Sequence, residues 1–126
     1  MFYTFYVLHQ RSMERDIENI VEHRDNSEKS IERYLCAQVE SLGGICLKYS
    51  NPLESGYPDR LCSLPGIIYP TIFFVEVKSR GRKPTPLQER RIRQLKALGH
   101  HVYVADSRET VNAVLRDEIQ GARISR

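Results

Sequence analysis

The chain has 126 residues, 40% of them hydrophobic and 28% charged, with a formal net charge of +3. That length suits one domain with a real core, and the composition excludes wholesale disorder. No apolar run approaches the ~20 residues that span a bilayer, and the three cysteines (Cys36, Cys46, Cys62) contain no Cys-x-x-Cys pair, which argues against a membrane protein, a zinc knuckle or a thioredoxin-like centre.

The opening "MFYTFYVLHQ" is aromatic but has neither a basic leader nor a small-residue cleavage site, so it does not read as a signal peptide. A soluble cytoplasmic protein is expected, with the cysteines as small core residues in a reducing compartment. Ile17, Ile20 and Val21 recur at helical spacing and predict a short amphipathic helix over 13–24. Asp25, Asn26 and Ser27 are the cap candidates for a second helix, which runs to about Leu42 with the stripe Ile31, Leu35, Val39 and Leu42 and stops at Gly43-Gly44.

"ICLKY" reads as a strand, "SNPLESGYP" as a loop and "DRLCSL" as a short second strand. After the Pro65-Gly66 turn comes "TIFFVEVK", a strong third strand. Alternation puts Ile72, Phe74, Glu76 and Lys78 on one face and Phe73, Val75 and Val77 on the other. Apolar residues on both faces predict a central strand covered by helices on both sides. The hydrophilic "SRGRKPTP" leads to a helix over about 87–98, with Thr85 as cap and Pro86 in its first turn. "HVYVA" is a fourth strand, and a last helix starts from Ser107 with Val111, Val114 and Leu115 inward. The order predicts an α/β sandwich with a mixed sheet: antiparallel strands, then a crossover to a parallel neighbour.

Two features bear on chemistry. Between Lys78 and Lys96 stand eight basic residues (Lys78, Arg80, Arg82, Lys83, Arg90, Arg91, Arg93, Lys96) against one acid, Glu89. Such a segment is either a solvated helix face or a surface for phosphates. If the turn at Pro65-Gly66 folds the second strand back on the third, Asp59 and Glu76 converge at one end of the sheet. Two close carboxylates repel unless they share a proton or bind a cation, and oxygen ligands with water in the remaining positions suit Mg²⁺ or Mn²⁺. Taken singly, Asp59 reads as a Pro-Asp turn, and Glu76 with Lys78 as an ion pair at a strand exit. His100 and His101 fall on opposite faces of a strand and read as its polar entry, and His9 and His23 have no chemical partners.

In order, "GYPD", "FFVEVKS" and "TPLQERRIRQLKALGHHVYVA", preceded by the acidic helix "SEKSIERYL", resemble the PD-(D/E)XK metal-dependent nucleases. Within them they resemble the virus-type replication-repair nuclease (VRR-NUC) domain, over about 27–115. The resemblance implies a restriction-endonuclease-like α/β sandwich and divides the chain into an N-terminal extension (1–26, a possible dimerisation element), a nuclease domain (27–120) and a tail (121–126).

It also implies Asp59, Glu76 and the Val77 carbonyl as Mg²⁺ or Mn²⁺ ligands, and Lys78 as the residue for water and phosphate. Glu28, with Glu32 one turn on as rival, would be the helix-borne acid, and Gln88 would support the site. Arg80, Arg82, Lys83, Arg90 and Arg91 would hold the nucleic-acid backbone. The implied activity is a structure-selective DNA endonuclease, similar to Holliday-junction resolvases, acting as a homodimer on branched DNA in a phage or bacterial cytoplasm. The alternative is a nucleic-acid-binding module of the same fold that is catalytically silent or needs a partner. Arg60, directly after the motif aspartate, and a long connection before the third strand depart from the pattern.

Overall fold

A computed structural model of the chain describes residue 11, residues 26–66 and residues 70–124. The predicted helix over 13–24, His9, His23 and the cap candidate Asp25 lie outside the described residues, as do 67–69 and the end of the tail. Helix α1 (Glu28–Ser41) leads to β1 (Ile45–Lys48), β2 (Arg60–Leu64) and β3 (Thr71–Val77), then α2 (Pro86–Ala97), β4 (His101–Ala105) and α3 (Arg108–Ile124). Among the described residues no helix is long and apolar enough to cross a membrane.

The sheet has the order β1-β2-β3-β4, antiparallel at the first two pairings and parallel at the third, as the sequence predicts. The crossover from β3 through α2 to β4 supplies the parallel pair. Ser27 caps α1, its hydroxyl accepting from the Ser30 N–H at 3.2 Å. The α1 stripe Ile31, Leu35, Val39 and Leu42 is fully buried, as are Phe73, Val75 and Val77 of β3 and Val111 and Leu115 of α3. This core lies between one sheet face and the pair α1/α3. Gly44 lets β1 enter close beside β2: a Cβ there would stand 2.3 Å from the Ser63 carbonyl oxygen.

The other sheet face differs from the expectation of cover on both sides. Helix α2 lies along β4, where Val102 and Ile92 are buried, and leaves Ile72 58% and Leu47 52% exposed. A single crossover helix cannot roof four strands, so the Ile72, Phe74 and Glu76 face is open toward β1.

Polar contacts fix the N-terminus of α1 against the exit of β3. The Arg80 N–H donates to the Asn26 carbonyl at 3.1 Å, and Arg108 donates to Ser30 Oγ at 2.7 Å from beneath. Arg108 is itself buried and stacks 5.7 Å from the Tyr34 ring centroid. The first turn of α1, bearing Glu28, therefore sits at the end of the sheet where β3 stops.

Candidate active site

The β2–β3 register pairs Arg60 with Val75, so the next step outward sets Asp59 against Glu76 on the open face. The convergence expected from the hairpin is present. The Val77 N–H donates to Asp59 Oδ1 at 3.1 Å, which ties the carboxylate to the end of β3. Glu76 is 3% exposed. Its Oε2 accepts from Gln88 Nε2 at 3.2 Å and lies 3.6 Å from Lys78 Nζ. The Lys78 side chain is largely covered, 15% exposed, and its N–H continues the parallel ladder to the Ala105 carbonyl at 2.9 Å.

Gln88 reaches Glu76 because of a local signal in "TPLQ". Thr85 Oγ1 accepts from the Gln88 N–H at 3.2 Å while Gln88 Oε1 accepts from the Thr85 N–H at 2.9 Å. This is a reciprocal capping box with Pro86 in the first turn. It locks the glutamine rotamer so that the amide Nε2 points at the carboxylate. The Thr-x-x-Gln spacing of this capping box is readable in the sequence.

Burial, and next the charge of Asp59, push the Glu76 carboxyl up to about 7 against the pull of Lys78, and Glu28 adds a smaller push. Burial also raises Asp59, opposed by the Val77 N–H and reinforced by the nearby Glu32 carboxyl. Burial acts to raise Glu32 as well, but Arg60 and the hydrogen bond shared with Asp59 outweigh it and leave Glu32 lowered. Arg60 Nε stands 3.2 Å from Glu32 Oε2, which gives the unexpected arginine after the motif aspartate a role: it holds the second helix acid. Glu28 lies exposed on the first turn, and its charge reaches Glu76. Two of the three acids of α1 thus act on the cluster, Glu32 through Asp59 and Glu28 through Glu76.

The basic residues divide into two groups. Arg80, Arg82, Lys83 and Arg90 are exposed. Arg91 is instead engaged with the loop before Asp59: its Nε donates to the Ser55 carbonyl at 3.2 Å and its guanidinium stacks 4.6 Å from the Tyr57 ring centroid. Gly56 in that loop has φ 91°, and a Cβ would stand 2.7 Å from Leu87 Cγ, so "GYPD" needs its glycine to pack against α2. Sequence reasoning missed this clamp, which joins residues 36 positions apart.

Among the described residues no three His, Cys, Asp or Glu side chains form a ready-made metal cluster. A hard, hydrated cation such as Mg²⁺ needs only one or two carboxylates, and Asp59 and Glu76 are two whose crowding a cation would relieve. Two carboxylates with room for water in the remaining positions are a donor set of the kind that Mg²⁺ or Mn²⁺ accepts.

An open α/β sandwich with two acids and a lysine at the end of its central hairpin defines the restriction-endonuclease-like class. No family model matches the chain. Over 82 residues, 65% of this chain and 85% of the relative, it is 48% identical to "Putative nuclease p44" of Acyrthosiphon pisum secondary endosymbiont phage 1. It is also similar to a solved structure titled "VRR_NUC domain", with a TM-score of 0.63 and 33% identity, covering 71% of this chain and 94% of that one. The chain belongs to the VRR-NUC family of nuclease domains.

Proposed function

We propose that this chain is a Mg²⁺- or Mn²⁺-dependent endodeoxyribonuclease that hydrolyses phosphodiester bonds in branched DNA as a homodimer. The nuclease part of this reading is supported by the family itself. The observation that carries the chemistry is Glu76, buried yet held by Gln88, Lys78 and the opposed Asp59.

A bound cation would supply acidity to a water and neutralise charge on the phosphoryl oxygens. Asp59, oriented by the Val77 N–H, and Glu76, oriented by Gln88, are the proposed ligands, with the Val77 carbonyl and Glu28 completing the oxygen set. Lys78, which pairs with Glu76 in the absence of a cation, would be the residue that meets the phosphate and aligns the attacking water when Glu76 serves a cation. The exposed Arg80, Arg82, Lys83 and Arg90 hold the DNA backbone, contacts that position without specifying sequence. A two-fold pair of sites suits a four-way junction, and the open apolar face around Leu47 and Ile72 gives a dimer area to bury.

The test is cleavage of duplex, flap, splayed-arm and four-way-junction DNA in Mg²⁺, Mn²⁺ or EDTA, with sedimentation to give the oligomeric state. Asp59→Ala and Lys78→Ala should each lower the single-turnover rate by about 100-fold or more while leaving DNA affinity within a few-fold. Cleavage that survives EDTA or both substitutions would remove the metal mechanism. Binding without cleavage of any substrate would favour the silent, nucleic-acid-binding alternative.

A further inference from the structure

Cys36 on α1, Cys46 on β1 and Cys62 on β2 meet beneath the sheet. Cys46 and Cys62 are direct cross-strand partners. The Tyr49 N–H donates to the Asp59 carbonyl at 2.8 Å, which marks 49/59 as a hydrogen-bonded pair. Alternation along the antiparallel ladder then makes 46/62 a non-hydrogen-bonded pair, the kind whose side chains approach most closely. Cys46 Sγ lies 2.9 Å from Cys36 Sγ and 3.5 Å from Cys62 Sγ, and all three thiols are free. A disulfide needs about 2.05 Å, so Cys36 and Cys46 are under ~1 Å from bonding distance without any movement of the sheet.

We propose that Cys36 and Cys46 form a redox modification site, a reversible disulfide that staples α1 to β1, with Cys62 placed to exchange for Cys36 at the Cys46 sulfur. With a disulfide oxidant such as oxidised glutathione, the Cys36 thiolate attacks one sulfur, the S–S bond of the oxidant breaks, and one glutathione thiolate leaves. The Cys46 thiol gives up its proton and attacks the Cys36 sulfur; the protein S–S bond forms and the second glutathione leaves. Two protein thiols are oxidised and one glutathione disulfide is reduced to two thiols. Burial, and next the hydrogen bond with Cys46, push the Cys36 thiol up to about 12, so the site equilibrates slowly at neutral pH and faster as pH rises. The staple falls one helical turn beyond Glu32. Oxidation therefore fixes the height of α1, and of the Glu32–Arg60 pair, against the sheet.

The test exposes the full chain to oxidised glutathione at alkaline pH, then alkylates it in denaturant and maps the peptides by mass spectrometry. The expected result is one alkylated cysteine, a Cys36–Cys46 linked peptide lighter by two hydrogens, and three alkylated cysteines again after dithiothreitol. Cys62→Ser should leave that cross-link in place and Cys46→Ala should abolish it. Three alkylated cysteines after oxidation, glutathione adducts alone, or a dominant Cys46–Cys62 link in the unsubstituted protein would overturn the proposal.

Discussion

A carboxyl buried as deeply as Glu76 ionises only against desolvation, and Asp59 opposite adds repulsion, which together push it up to about 7. An acid raised above its unfolded value of 4.5 binds more protons folded than unfolded across that window. Its contribution to stability is therefore lost as pH rises from the unfolded value through the folded one. Metal-free Glu76→Gln should match the unsubstituted protein at pH 5 and exceed its stability by about 2 kcal/mol at pH 8, read from denaturant midpoints. The same shift means that Mg²⁺ binding near neutral pH should release protons, in an amount that shrinks as the pH is raised above that of half-ionisation.

Gln38 is a simpler case on the same scale. It is fully buried on α1, and neither its side-chain amide nitrogen nor its oxygen has a hydrogen-bond partner among the described residues. Replacing it with methionine of similar shape removes an unsatisfied polar pair. Gln38→Met should raise unfolding free energy by about 1–2 kcal/mol with an unchanged denaturant slope.

At the level of elements, α3 is held to the sheet by a buried carboxylate that has no part in the proposed chemistry. Glu118 is 2% exposed and accepts from the Thr71 hydroxyl. It also accepts from the Tyr103 hydroxyl at 2.5 Å and pairs with His101 Nδ1 at 2.6 Å. The network pins the starts of β3 and β4 to the helix, at the opposite end of the strands from Glu76. Glu118→Ala would strand the buried Thr71 hydroxyl and leave a cavity, so it should cost about 2–4 kcal/mol in chemical denaturation.

Nothing local in the sequence marks this network, because Thr71 and Glu118 stand 47 residues apart and only the β3–β4 register with the tilt of α3 brings them together. The elements themselves were legible. Ser27, Thr85 and Ser107 announce helix starts by short-range hydrogen bonding, and the even–odd alternation of "TIFFVEVK" fixes which face bears Glu76. The His101 at the head of β4 reads as a polar strand entry, and so it is, but its partner could only be found in three dimensions. The same holds for the three cysteines: spacing alone describes them as scattered, whereas antiparallel pairing makes two of them neighbours.

Across the whole molecule, the basic residues differ in what they touch in a way that sequence grouping hides. "SRGRKPTPLQERR" reads as one basic tract, yet Arg82 and Lys83 project from the loop while Arg91 turns back to grip Ser55 and Tyr57. Under the proposed DNA-binding role the two kinds of residue should fail differently. Arg82→Ala or Lys83→Ala removes an exposed cation that would displace counterions from DNA. Each should weaken binding across all sequences and reduce the slope of log affinity against log salt by roughly one. Arg91→Ala should leave that slope nearly unchanged, because its guanidinium is spent on the Ser55 carbonyl and the Tyr57 face. It should instead loosen the loop that delivers Asp59 and slow single-turnover cleavage by about tenfold or more. Arg91→Lys should not restore the rate, since an ammonium cannot reproduce a planar group that donates and stacks at once. Salt titrations by fluorescence anisotropy, run beside cleavage on the same variants, separate the two behaviours. A salt slope for Arg91→Ala that falls as far as that of Lys83→Ala would return Arg91 to the phosphate-binding set.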